Sequence, residues 1–194
     1  MSFFSGSSKL SNASPIPPAV PKAAAVALLH DHDFFLRCDP HYVSHKALSD
    51  SDTASGSGSR SGSVKLPPGL TPLPGGNGVK VKVKVKVKAY EVVDHVPNPV
   101  WSSTVVSREE FVDFEAGLWV RIRSPMGVVM ETTWTVRERK NTEGEGGLEL
   151  VEDVAISCSK LLLGIVRGQV EGNWRGIHGK IVGRLVEDAG KGGV

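Results

Sequence analysis

Cysteine is nearly absent. Cys38 and Cys158 are the only two in 194 residues, which make no disulfide framework and show no metal-type spacing. No apolar run approaches the ~20 residues that a membrane helix needs. The longest stretch of small apolar residues, "AAAVALL" at 23–29, runs directly into "HDHD" and has neither the length nor the flanks of a signal segment. A cytoplasmic protein without signal peptide or transmembrane segment is expected. Charge of one sign is also missing. The formal net charge is +2, and five of the positive charges sit in one run, "VKVKVKVKVK" at 79–88, which leaves −3 for the rest of the chain. A basic balance confined to one stretch is not the spread footprint of a nucleic-acid-binding face, so no nucleic acid is expected as a partner. There is no P-loop, dinucleotide fingerprint or Ser–His–Asp spacing. No catalytic residue, metal site or cofactor is assigned.

What is present divides the chain. Residues 1–8 are small and polar and read as a disordered tail, with 191–194 as a second tail. Between them, 9–190 reads as a single domain. "KLSNAS" (9–14) suits a short first strand. Pro21 opens a helix over "KAAAVALLH", "DHDFFLRCDP" gives a short helical turn ending before Pro40, and "HYVSHKAL" (41–48) reads as a strand. In "HDHD", alternate residues on a helix point apart. His30 and His32 therefore share no metal, and Asp31 and Asp33 suit cap and turn chemistry. The Ser-, Gly- and Pro-rich stretch 49–78 buries too little apolar surface to order itself and reads as a flexible insertion.

From 79 onward the chain is strand-like. In a strand the run places five valines on one side and five lysines on the other. Such a strand is half-buried, with lysines that block edge-to-edge pairing. A two-residue slip leaves this pattern unchanged. Its parity breaks in "AYEVVDHV", where a bulge or strand break near 89–91 is expected. The functional reading of the run is a weak contact of Lys80, Lys82, Lys84, Lys86 and Lys88 with an anionic membrane.

The runs "WSSTVVS", "EEFVDFE", "LWVRIRS", "VVMETTWTVRE" and "LELVEDVAISC" follow, split by turn signals such as "SPMG" (124–127) and the longer loop "RKNTEGEGG" (139–147). Sequential strands with short links make an antiparallel meander. By parity one face carries Leu118, Val120 and Ile122, then Val128, Met130, Thr132, Trp134 and Val136, then Leu148, Leu150, Glu152, Val154, Ile156 and Cys158. The chain ends in a helix from Ser159 to about Glu187. Its apolar stripe is Leu163, Val166, Val170, Trp174, Ile177, Ile181 and Leu185. Six glycines, Gly164 to Gly183, lie roughly opposite the stripe. They form either a solvent face or a place where another segment or subunit docks.

"ALLHDHDFFLRCDP", "YEVVDHVPNPVWSSTVVSREEF", "GLWVRIRSPMGVVMETTWTV" and "LELVEDVAISCSKLLLGIVRGQVEGNWRGIHGKIV" together resemble an uncharacterised fungal family, a domain of unknown function in the START/SRPBCC-like helix-grip superfamily. The resemblance covers about 9–48 and 79–190 and implies an α+β fold: a curved antiparallel sheet of six to seven strands around a long C-terminal helix. It also implies a cavity between sheet and helix that holds apolar ligands.

One apolar sheet face and one apolar helix stripe must meet. Met130, Trp134, Val154 and Ile156 would then face Trp174, Ile177 and Ile181, as plain core or as cavity wall. Glu152 shares the apolar side of its strand. There it meets an arginine, anchors a polar ligand group, or sits at a strand end or bulge. His178 flanks the stripe, as a ligand donor or general base or as a boundary histidine with its bonds satisfied. The leading expectation is non-catalytic binding or carriage of an apolar small molecule or lipid. The alternatives are a cyclase- or hydratase-like enzyme using His178 or Glu152, and a cavity-less interaction module. Oligomeric state is left open.

Overall fold

The computed structural model describes residues 5–49, 66–67, 70–71, 73, 86–97, 102–139 and 146–191. Seven strands form one antiparallel sheet in the order β1-β7-β6-β5-β4-β3-β2. They are β1 (Ser5–Ile16), β2 (Tyr42–Leu48), β3 (Lys88–Pro97), β4 (Ser102–Phe114), β5 (Gly117–Ser124), β6 (Val128–Glu138) and β7 (Leu148–Ser159). The sheet curves around a long C-terminal helix, α3 (Lys160–Lys191), with α1 (Lys22–Leu29) and α2 (His32–Leu36) in the connection between its two edges. This is the helix-grip arrangement expected.

Each element follows from local chemistry. Pro21 stands in extended backbone at the start of α1, and the alanine-rich turn behind it buries Ala25, Val26 and Leu29. Asp31 caps α2, accepting from the Phe34 amide at 3.1 Å. The "SPMG" turn puts Met126 and Gly127 at φ of 61° and 72°, a left-handed pair that closes the β5–β6 hairpin. At the β4–β5 corner Gly117 is compulsory, because a Cβ there would collide with the Trp134 carbonyl oxygen.

Several boundaries differ from expectation. β1 begins at Ser5 rather than Lys9, so residues 5–8 pair with β7, Ser8 opposite Ile156. "WSSTVVS" and "EEFVDFE" form one strand because no turn residue interrupts them. Of the bulge or strand break expected near 89–91, no bulge is present: β3 pairs with β4 in unbroken register from Lys88–Phe111 to Pro97–Ser102, and the strand begins at Lys88, with 86 and 87 outside it. The irregularity lies in β2, between Tyr42 and Ser44. β3 keeps its register because its start is covered on both faces. Tyr90, Val92 and Asp94 point to the concave side, while Ala89 is buried on the convex side and Val87 packs there.

That convex cover comes from the Pro-rich stretch. Leu66 and Leu70 lie with Val87 on Val112, Phe114 and Trp119, and the Leu73 amide donates to the Asp113 carbonyl at 3.1 Å. Residues 79–85 of the Val-Lys run lie outside the described residues, and with them Lys80, Lys82 and Lys84. Lys86 is exposed, and Lys88 pairs with Asp113 at 3.6 Å. Among the described residues the helix glycines meet nothing: a Cβ at any of Gly164, Gly168, Gly172, Gly176, Gly179 or Gly183 has no such neighbour within 4 Å. No helix among the described residues is long and apolar enough to cross a membrane.

Candidate functional site

A cavity of about 100 Å³ lies under the concave face. Its walls are Phe35 and Leu36 of α2, Val92 of β3, Val120 and Ile122 of β5, Met130, Thr132 and Trp134 of β6, and Ile177 of α3. Four carboxyls share this lining: Asp39 after α2, Asp94 of β3, Glu109 of β4 and Glu152 of β7. The long helix contributes Ile177 alone, so the space sits between sheet and α2 more than between sheet and α3.

Alternation places the acids. In β4, Glu109 and Phe111 are two apart and share the inward face, where Glu109 pairs in register with Tyr90 and Ile122. In β3, Asp94 follows Tyr90 and Val92 on the same side. Glu109 is buried and accepts one bond from the Ser107 hydroxyl, at 3.3 Å. Among the described residues no Lys or Arg pairs with Glu109, Asp94 or Asp39. Burial pushes the Glu109 carboxyl up to about 8, helped by the charges of Asp94 and Asp39 and opposed by the Ser107 bond. Burial also lifts Asp94 to about 6; Asp39 adds to this and His41 opposes it. Asp39 accepts from the His41 amide at 2.7 Å.

Glu152 is held differently. Its Oε2 accepts from Asn12 Nδ2 at 3.0 Å and lies 3.7 Å from His178 Nε2. His178 Nδ1 shares a hydrogen bond of 2.8 Å with the Ser14 hydroxyl. The imidazole is buried between the rings of Trp134 and Trp174, each with its centroid 5.2 Å away. Its Nε2 has no hydrogen-bond partner among the described residues and faces the Glu152 carboxyl.

Of the residues singled out in the sequence, the fold brings Met130, Trp134, Glu152 and Ile177 to the cavity. Ile181 packs in the main core with Val136, Leu150 and Leu185. Val154 and Ile156 pack instead with Cys158 and half-buried residues from the first turns of α3. Trp174 meets the His178 ring edge to face and carries Arg175 over its own ring. His178 stands behind Glu152. Parity in "YEVVD" sets Asp94 beside Tyr90 and Val92, but "EEFVDF" has apolar residues on both faces and does not single out Glu109. Phe35, Leu36 and Asp39 left no such signal, because α2 is too short to show a face.

The second polar network is structural. His32 Nε2 bonds Asp113 Oδ1 at 2.7 Å and its Nδ1 meets the Tyr90 hydroxyl at 3.1 Å. Burial pushes the Asp113 carboxyl up, but the bond and charge of His32, with His30 and Lys88, outweigh it and hold Asp113 below the usual range. His30 bonds the Gly117 carbonyl at 2.8 Å. These contacts tie α1 and α2 to the sheet and so place Phe35 and Leu36 over the cavity. Among the described residues no three His, Cys, Asp or Glu side chains gather in a way that would hold a metal ion. Cys38 is buried, and burial pushes its thiol up to about 11.

A family model described as "Domain of unknown function (DUF7053)" matches residues 5–189. No curated protein matches the chain. The solved structures that match include two that align with most of this chain. One is the crystal structure of the di-domain ARO/CYC StfQ from the steffimycin biosynthetic pathway. It has 12% identity and a TM-score of 0.57 over 95% of this chain. The chain spans 52% of that protein's length. The other is TTHA0849 from Thermus thermophilus, at 16% identity and a TM-score of 0.48, covering 94% of this chain and 99% of that one.

Proposed function

The chain belongs to the family described as "Domain of unknown function (DUF7053)", and on that premise we propose that it binds a small, mostly apolar molecule in the cavity beneath the sheet. The observation that carries this reading is the lining: aromatic and aliphatic walls interrupted by the Glu109, Asp94 and Asp39 carboxyls, which no Lys or Arg among the described residues pairs with. A core made only for stability does better with apolar groups there, since a buried carboxyl costs several kcal/mol unless it is paired. Ligand pockets have this composition, apolar walls with a few polar anchors.

The size sets a limit. Pockets for drug-sized ligands run to roughly 300–1,000 Å³, against about 100 Å³ here. The fitting ligand is a short aliphatic or small cyclic molecule; a long-chain lipid enters only if α3 moves off the sheet. The fold shared with StfQ supplies no residue role at 12% identity. In an enzymatic reading, Glu152 is the member of the Glu152–His178 pair that reaches a ligand.

The test is Ile177→Trp, which fills the cavity from the helix side. Native mass spectrometry of gently purified protein, followed by solvent extraction, should find a stoichiometric small-molecule adduct on the wild type and none on the folded variant. The same adduct on both, or a bare mass for the wild type that no small apolar compound shifts, contradicts the proposal.

A further inference from the structure

The ionisable groups that line the cavity are all acids, and this bears on what the ligand carries. Glu109 is buried, bonded to one hydroxyl, and lines the cavity. Asp94 and Asp39 line it from the same side, and Glu152 from the other. No Lys or Arg among the described residues answers Glu109, Asp94 or Asp39. Several acids elsewhere on this chain are matched at close range. Glu110 takes Arg121 at 2.6 Å with Arg108 and Arg123 nearby, and Asp33 takes Arg37 at 2.9 Å. Among the acids that no described Lys or Arg pairs with, Glu109 is buried and Asp94 and Asp39 are half-buried at the cavity, whereas Glu91, Glu115, Glu138 and Glu187 are exposed to water. A metal ion does not fit, since no ligand-competent group of three forms among the described residues.

We infer that the ligand is an organic cation, a small amine with an apolar body, whose ammonium group binds the Glu109 and Asp94 carboxyls while its hydrocarbon part lies against Phe35, Trp134 and Ile177. This rests on the proposed small-molecule function and narrows its ligand class. The ammonium supplies donors to carboxyl oxygens that the protein leaves open, and charge-assisted bonds of this kind are the stronger ones. The aromatic walls favour a cation over a neutral group as well.

The charged groups that act on Glu109 are Asp94 and Asp39, Tyr90 stands opposite it in register, and the His41 charge acts on Asp94. With the cavity empty, Glu109 keeps its proton up to about pH 8. Amine binding at neutral pH therefore releases a proton to solvent, and affinity rises with pH toward 8.

The test is isothermal titration calorimetry of the full chain with isobutylamine, isobutanol and isobutyrate, which share one hydrocarbon body. Isobutylamine should bind about tenfold or more tightly than isobutanol, with isobutyrate weakest. Its apparent enthalpy should change with the ionisation enthalpy of the buffer, reporting the released proton. Glu109→Gln should bring amine and alcohol to within about twofold, and Asp94→Asn should narrow the gap in part, so that either variant serves if the other fails to fold. Equal affinity for amine and alcohol in the wild type, or an amine preference unchanged in both variants, overturns the cation assignment and leaves the cavity-binding reading standing. No binding of any of the three overturns both.

Discussion

The two ends of the concave face are closed in different ways. At one end, Val136 and Leu150 of the sheet, α1 with Val26 and Leu29, and the last turns of α3 with Ile181 and Leu185 make a fully buried core. The Asn12–Glu152–His178–Ser14 chain of contacts ties helix to sheet beside it. At the other end, Val154, Ile156 and Cys158 meet Leu162, Leu163, Val166 and Val170, which are only half-buried, and Leu161 is 90% exposed. One continuous stripe on α3 thus serves two surroundings, because α1 packs over one end of the face and not the other. The buried acids divide in the same way. Glu152 has an amide donor and an imidazole beside it, whereas Glu109 has one hydroxyl and a cavity. The first arrangement holds the fold; the second leaves a carboxyl available to something else.

The comparison breaks most visibly under truncation. Ile181→Ala should cost roughly 2–5 kcal/mol, the range for a fully buried aliphatic side chain. Leu163→Ala should cost less than half of that, since water already reaches its site. Equilibrium urea denaturation of both variants decides the matter, and equal losses would mean that the two ends are packed alike.

Titration separates the two acids next. Glu109 sits at about 8 against an ordinary 4.5, so the folded chain holds this proton more tightly than the unfolded chain does. Its contribution to stability is complete below about pH 4.5 and is lost as pH rises toward 8, a few kcal/mol at about 1.4 per unit. Asp94 adds a smaller loss of the same sign between its ordinary 3.8 and about 6. Unfolding free energies measured from pH 5 to 8.5 should fall steeply for the wild type and much less for Glu109→Gln. Parallel curves would place the slope elsewhere.

Removing Asn12 probes the satisfied acid. Asn12→Ala takes away the amide donor to Glu152 and should cost about 1–3 kcal/mol, read by the same urea denaturation. The smallest effect distinguishes nothing between the ends, and that is its use. Gly168→Ala and Gly183→Ala lie on opposite halves of α3, each with open space around the new methyl. Each should stabilise by about 1 kcal/mol or less. A loss at either position would reveal a segment docked on the glycine face.

The fold was legible because alternation and helical spacing are both strong here. The parity of Leu118, Val120 and Ile122 marked the concave face, and the spacing from Leu163 to Leu185 marked the helix stripe. Depth was not legible. The stripe names a side of the helix and says nothing of what else covers it, so His178 and Ile181 proved deeply buried while Val166 and Val170 did not. Trp119 and Phe114 lie on the convex side, where "LWV" offered no alternation to read, and their cover comes from a Pro-rich stretch whose composition suggested no packing. Half of the site was hidden for a related reason. Glu109 and Asp94 obey parity but are acids, and the expectation for an acid in a strand is solvent.

The central claim is that the space beside Glu109 admits a small molecule. Methyl-resolved NMR during a titration with isobutanol tests it most directly. The account predicts saturating shifts of the Ile122, Met130 and Ile177 methyl groups, which line the cavity, with Ile156 and Ile181 nearly still. Shifts that never saturate, or that spread evenly over all five residues, would contradict it.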